Sequence, residues 1–398
     1  MKLPAWLRPW WPLFKRLHRF VTLMLGIGFR RASPVLKGNG VPTTSSDWSR
    51  ETAAAEPDNV TLHPGLPAVV LDRTATAGDP ADHWVFAEAK QAMIPATFTL
   101  EVRGGSLSGD YGATTTPGKR LDHETSTYFG VSDWREHPVF LRPTLGEVEH
   151  VPGTVLSLTT RGTTSNYYHF LYDAIARLGV LEDSLPDARW DAVVVPHQTK
   201  YQKAFLELIG LEGKLLEPRR GLTYRADTLL VPSNPNWHLE APQSTVDWLR
   251  KKLPATGTMD LPKRLYLTRG DLPNTRRYVE EPALWPELEK RGFHRLDAGT
   301  LTVQEQINVF AQAEAIVAPH GAALTNMTFS QPGVKVLEMF PATYVHLGLW
   351  SIAQAIGADY RYLVAEGVEQ AGRRNQGVLD DVSIPPARVL AAVDEMLG

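Results

Sequence analysis

The sequence predicts an α/β protein made of two Rossmann-like doubly wound domains with a β-rich N-terminal lead-in. Three observations carry this. The chain has 398 residues, short apolar runs alternate with amphipathic helix-length segments from Gly153 onward, and the cycle restarts at Arg264 after a linker-like stretch at 254–263. Single cores stop growing near about 250–300 residues, so a chain this long divides. Wholly apolar strands joined by single helices imply parallel sheets, because crossover helices cover both faces.

Residues 1–32 form a basic amphipathic segment. Lys2, Arg8, Lys15, Arg16, Arg19, Arg30, Arg31 and Lys37 fall within the first 46 residues, which hold no Asp or Glu. Leu3, Leu7, Trp10, Phe14, Leu17, Val21 and Met24 recur at helical spacing, with regular helix expected from Pro12. The apolar run Phe20 to Phe29 is too short to span a bilayer, and Arg30 and Arg31 stand where a signal-peptide cleavage site would need small residues. With Trp6, Trp10 and Trp11, residues 2–31 read as an anchor on an anionic membrane surface. The competing reading is a helix docked on the protein itself or on a partner. The expected location is cytoplasmic, peripheral on the inner face of the cell membrane.

Residues 33–65, rich in Pro, Gly, Ser and Thr, read as a linker, with the fold starting near Leu66. The lead-in, 66–150, carries β-type runs at Ala68–Leu71, Ala96–Val102 and Pro138–Leu141. Strands are expected at Val155–Leu158, Ala192–Val195 and Thr228–Val231, and helices at Tyr167–Leu181 and Tyr201–Leu211. Together these make 66–253 the N-terminal α/β domain with its β-rich lead-in. In 264–398, strands are expected at Leu265–Thr268, His294–Leu296, Ala315–Ala318, Val334–Met339 and Tyr360–Val364. Helices are expected at Ala283–Arg291, Val303–Ala313, His346–Ile356 and Pro386–Leu397.

The chain has no cysteine, which removes disulfides, thiolate metal sites and cysteine nucleophiles. Composition gives no sign of nucleic-acid binding. There is no GxxxxGKS/T loop, no GxGxxG after a strand, no HExxH and no Asp-x-Asp pair to hold a metal. No metal site or cofactor is therefore expected.

Ligands of open α/β sheets bind beyond the carboxyl ends of the strands, where helix N-termini and free amides converge. That rule selects His320, Gly321, Ala322, Ala323 and Asn326, after a buried strand, with Gly321 and the alanines letting a phosphate approach the backbone. It also selects Arg269, Arg276 and Arg277, since a guanidinium fork suits phosphate. Glu338, inside a strand, is expected to accept ribose hydroxyls or hold an arginine. In the first domain His169, Asp173 and Arg177 recur at i, i+4 and i+8 on one helix face, and Asp173 can orient His169 as a general base.

Taken in order, Tyr168-His169-Phe170-Leu171-Tyr172-Asp173, Leu267-Thr268-Arg269, Gln304-Glu305-Gln306, His320 to Asn326, and Val336 to Pro341 resemble the motifs of glycosyltransferase family 61. The resemblance spans Tyr167 to Val364. It implies a GT-B-like fold and metal-independent, inverting transfer from a nucleotide sugar, usually UDP-linked, to a glycan or glycolipid acceptor. Bacterial relatives are often described as capsular or exopolysaccharide biosynthesis proteins. On this reading the donor contacts Arg269, Arg276, Arg277, His320 to Ala323, Asn326 and Glu338, and the catalytic base is His169 with Asp173 or Asp173 alone. Members often carry Arg-x-x-x-Asn-Glu after the arginine strand; here Glu280 stands in place of Asn. Two rival functions use the same features: a nucleotide-sugar epimerase of the same fold, and a non-catalytic glycan-binding or assembly subunit at the membrane.

Overall fold

The computed structural model describes residues 10–36, 39–73, 76–131, 133–236, 239–257, 260–367 and 377–398. Among these residues two large sheets organise the chain. In the first, Glu147–Ser157 lies parallel to Leu222–Pro232 on one side and Ala192–Val194 on the other, and Lys214–Leu216 extends the parallel part. The other flank of Leu222–Pro232 is antiparallel. Phe98–Arg103 pairs with its second half and Ser106–Ser108 with its first, and Val60–Pro64, Ala113–Thr115 and Arg120–Asp122 continue outward.

The second sheet is parallel throughout. Its order is His294–Leu296, Arg264–Leu267, Ala315–Pro319, Lys335–Phe340, Asp359–Val364, Ala77–Asp79. The three central strands are buried almost to the last residue, as a sheet covered on both faces requires. Helix Pro386–Leu397 packs on the helix Glu281–Lys290 and on strand Lys335–Phe340, so it closes the second domain.

Three expectations fail here for physical reasons. Within 33–65, expected as a linker, Thr44–Ser46 and Val60–Pro64 are strands of the first sheet and Ser49–Ala55 is a helix. The Ser and Thr side chains that suggest a linker are the folding contacts: the buried Asp122 carboxylate accepts from the hydroxyls of Ser49 (2.8 Å), Thr52 (2.5 Å) and Thr125 (2.7 Å). Pro138–Leu141, expected as a β-type run, is a 3₁₀ turn capped by His137. The lead-in is also shared, because Ala77–Asp79 is an edge strand of the second sheet rather than of the first.

The N-terminal helix spans Trp11–Ala32. Its second half docks on the chain: Gly26 lies against Phe140, and the Arg30 guanidinium sits 5.2 Å from the Trp134 ring and 5.0 Å from that of Phe140. Arg19 pairs with Glu136. Leu13, Phe14, Leu17, Phe20, Val21, Met24 and Leu25 remain exposed on the same helix. Residues 1–9, with Lys2, Leu3, Trp6, Leu7 and Arg8, lie outside the described residues. No described helix is long and apolar enough to cross a membrane.

The two domains meet across a continuous core, in which Leu171, Tyr172 and Leu178 join Leu324, Met327 and Trp350. Polar bridges cross the same boundary. Tyr167 donates to Asn326 Oδ1 (2.7 Å) and the Tyr172 hydroxyl meets that of Thr328 (2.8 Å). Buried Arg73, from the lead-in, pairs with Glu240 and donates to Ser351 (3.0 Å), fastening all three parts together.

Candidate active site

The carboxyl ends of the second sheet's central strands form one side of the site. Arg269 follows Leu267 by two residues and His320 follows Pro319 directly. After His320 a 3₁₀ helix, Ala322–Phe329, begins, and among the described residues the amides of Gly321, Ala322 and Ala323 donate to no protein group. Gly321 has an extended φ of 178°, which any residue adopts, so its glycine answers to space. A Cβ there would lie 1.8 Å from Arg269 Nη1. The backbone thus makes room for a guanidinium, where the sequence suggested room for a phosphate.

Arg269 is held by its Nε on the Thr275 carbonyl (2.5 Å), and Arg276 by its Nε on the His320 carbonyl (3.1 Å) and by Val378. Arg276 also lies 5.7 Å from the Tyr344 ring. Among the described residues neither arginine has a carboxylate within ion-pairing distance. Burial, then the charge of Arg276, lowers the Arg269 pKa to about 10; burial also lowers that of Arg276. Two half-desolvated cations beside free amides make a concentrated positive site.

The loop between them is strained and braced. Asn274 (φ 61°) and Arg276 (φ 62°) are left-handed without being glycine, a conformation costing about 1–3 kcal/mol each. Asp381 offsets this by accepting the amides of Asn274 and Thr275 (both 3.1 Å) and of Arg277 (3.3 Å). The Arg277 side chain itself turns to Asp381 (3.4 Å), so of the three arginines it alone is neutralised.

Two further expectations change. Glu338 is fully buried, with Oε1 2.5 Å from His320 Nδ1 and Oε2 accepting from the Tyr360 hydroxyl at 2.5 Å. It therefore fixes the histidine at the strand end and is closed to a ribose. Burial raises the Glu338 pKa to about 8, while burial and the two arginines push His320 well below its usual value. One shared proton suits this pair. Asn326 is also fully buried, bonded to Tyr167, to Gln306 (2.8 Å) and to the Ala323 carbonyl (3.1 Å), and acts as a domain bridge.

The opposing side comes from the first domain. The expected helix at Tyr167–Leu181 is α-helical at Tyr167–His169, widens into a π-helix at Phe170–Ile175, and returns to α at Arg177–Ser184. Such bulges insert a residue into the turn and re-aim side chains. His169 donates Nδ1–H to Asp173 Oδ2 at 2.6 Å, and the other Asp173 oxygen accepts from Asn236 Nδ2 at 2.8 Å. Arg177 leaves this line: Nε and Nη2 bond the Pro232 carbonyl and Nη1 that of Thr159. Gly162 backs the imidazole, since a Cβ there would lie 2.5 Å from His169 Cγ.

Both sides are linked. Asn236 Oδ1 accepts from Tyr168 (3.2 Å), and the Tyr168 hydroxyl and the His346 ring both lie within 3.3 Å of the point a Gly348 Cβ would occupy. The His346 ring is 5.7 Å from that of His320. Sequence reading missed Asn236, His346 and the brace Glu281, which accepts from Tyr266, Thr268 and Arg295 beneath the arginine strand. Glu280, which departs from the family pattern, turns away to Ser383 and the Ile384 amide. Among the described residues no three His, Asp or Glu side chains cluster as metal ligands would.

The geometry defines a class first: a two-sheet α/β protein with a cationic strand edge in one domain and a His–Asp pair in the other. Residues 167–337 match the family model described as Glycosyltransferase 61, a span that includes His169, Asp173, Arg269, Arg276 and His320. The match supports a glycosyltransferase. Among solved structures the chain is similar to the E. coli heptosyltransferase WaaC with ADP, at 11% identity and a TM-score of 0.29, covering 62% of this chain and 100% of that one. No curated protein matches the chain.

Proposed function

We propose that this protein is an inverting, metal-independent glycosyltransferase of GT-B-like architecture that uses a nucleotide-sugar donor, UDP-linked by the family resemblance. The observation that carries this reading is the pairing of Arg269 with Arg276, with no described carboxylate within ion-pairing distance of either, beside the free amides of Gly321 to Ala323. Preorganised cations and amides stabilise the negative charge that grows on a departing diphosphate, the task a metal performs elsewhere. Glu338 and Tyr360 hold His320 in place beneath them.

Across the boundary, His169 is the base and Asp173 its positioning residue. Asp173 has each oxygen occupied by one partner and is almost wholly buried, whereas the His169 side chain keeps 17% exposure. His169 Nε2 takes the proton of an acceptor hydroxyl as that oxygen bonds the anomeric carbon. The bond to the nucleotide diphosphate breaks on the opposite face, and Asp173 stabilises the imidazolium. Displacement from the opposite face inverts the anomeric centre.

The acceptor is a cell-surface polysaccharide, lipid-linked glycan or related glycan. The exposed apolar residues of the N-terminal helix, accompanied by Arg16, Arg19 and Arg31, support seating on an anionic membrane, as a peripheral protein of the inner face. Incubation with a panel of UDP-sugars in EDTA, with acceptor glycosides present or absent, tests the reading. A new glycoside of inverted anomeric configuration supports it. A sugar epimer formed without acceptor indicates an epimerase, and donor binding without any product indicates a binding subunit.

A further inference from the structure

A cavity of about 200 Å³ opens beside Asp173, and half of its wall comes from outside the family-matched segment. Glu124, Thr127 and Phe129 descend from the lead-in, while Thr160, Asn234 and Asn236 come from loops after strands of the first sheet. The lining combines hydroxyl and amide side chains with two carboxylates, Glu124 and Asp173, the Arg177 guanidinium and one aromatic. Phe129 is 48% exposed, yet its ring is held 4.9 Å from the His169 imidazole at 40°. An aromatic face left open beside a base is a surface on which a ligand ring can stack. The Thr160 hydroxyl, buried at the same wall, has no hydrogen-bond partner among the described residues.

We propose that this cavity is the acceptor subsite and that it takes a single neutral sugar ring, whose C–H face stacks on Phe129 while its hydroxyls meet Glu124 and Asn234. The inference rests on the transferase reading above and names its acceptor. Size supports one ring, since the cavity is smaller than the range of about 300–1,000 Å³ that holds drug-sized ligands. Aromatic faces carry negative quadrupole density and attract the polarised C–H groups of a sugar. A phosphate is disfavoured. Arg177, the cation in the wall, commits its guanidinium to the Pro232 and Thr159 carbonyls, and Asp173 and Glu124 repel an anion. Asp173 joins the cavity to the base, so a hydroxyl of the stacked ring lies next to His169.

The test measures acceptor saturation for Phe129→Ala and Phe129→Trp with methyl glycosides of glucose, galactose and N-acetylglucosamine, alongside UDP binding by thermal shift. The expected result is transfer to at least one glycoside, an acceptor KM raised tenfold or more in Phe129→Ala and restored in Phe129→Trp, and an unchanged UDP shift. A wild-type acceptor KM in Phe129→Ala overturns the subsite while leaving the transferase standing. UDP binding with no transfer to any neutral glycoside overturns the acceptor class. Absence of both UDP binding and transfer in the wild type overturns the transferase reading and the subsite with it.

Discussion

The Arg269 guanidinium lies across Gly321 so closely that no Cβ can be added without moving it, the gap being 1.8 Å to Nη1. The pair ties the arginine strand to the amide-bearing turn. Gly321→Ala should displace Arg269 without unfolding the domain, because the displaced atom ends a flexible side chain. A charge-assisted hydrogen bond is worth about 1.5–3 kcal/mol, so nucleotide affinity should fall about ten- to a hundredfold. Calorimetric titration with UDP checks this, and unchanged affinity would remove Arg269 from the donor site.

Asp173→Asn should lower kcat by about 10²–10⁴ with UDP affinity intact, since it removes the charge that orients and stabilises His169. His169→Ala should fall in the same range. Single-turnover rates measure both, and a wild-type rate in either variant would reassign the base.

The His320 and Glu338 pair predicts a pH dependence of stability. The pair holds one proton in the native state up to the Glu338 pKa of about 8. Unfolded, with ordinary values of 4.5 and 6.5, it binds two protons below 4.5, one between, and none above 6.5. Stability from the pair therefore rises with pH up to 4.5, is level to 6.5, and is lost as pH climbs from 6.5 to 8, by about 2 kcal/mol. Glu338→Gln should abolish the loss above pH 6.5. Urea melts from pH 6 to pH 8.5 decide, and identical slopes would break the shared-proton account.

Tyr167→Phe leaves Asn326 Oδ1 without its interdomain donor and should cost about 1–3 kcal/mol. Because Asn326 sits at the domain boundary, the loss should appear in global unfolding. A change below about 0.3 kcal/mol would mean the bridge carries no weight.

Phe20→Glu with Met24→Glu places two carboxylates on the exposed helix face. Co-sedimentation with anionic vesicles should fall at least tenfold, with the melting temperature unchanged. Equal sedimentation of both proteins would assign that face to something other than lipid.

Strand and helix alternation was readable because apolar periodicity is local, and so was the placement of Arg269 and His320 at strand ends. What escaped depends on distant partners. Nothing near Ser49 or Thr52 shows that Asp122 will gather their hydroxyls, so a folded segment looked like a linker. Glu338 and Asn326 looked ligand-facing because His320, Tyr360, Tyr167 and Gln306, which occupy them, arrive from other elements. The i, i+4, i+8 spacing of His169, Asp173 and Arg177 assumed a regular helix; a π-turn runs through Phe170–Ile175, and the Arg177 guanidinium is committed to the Pro232 and Thr159 carbonyls.

The central claim is that the Arg269 edge binds a nucleotide diphosphate without a metal. Calorimetric titration of UDP into wild-type protein and Arg269→Ala, both in EDTA, tests it most directly. The account predicts saturable binding to the wild type and at least a tenfold loss in Arg269→Ala. No binding to the wild type, or equal binding to both, would contradict it.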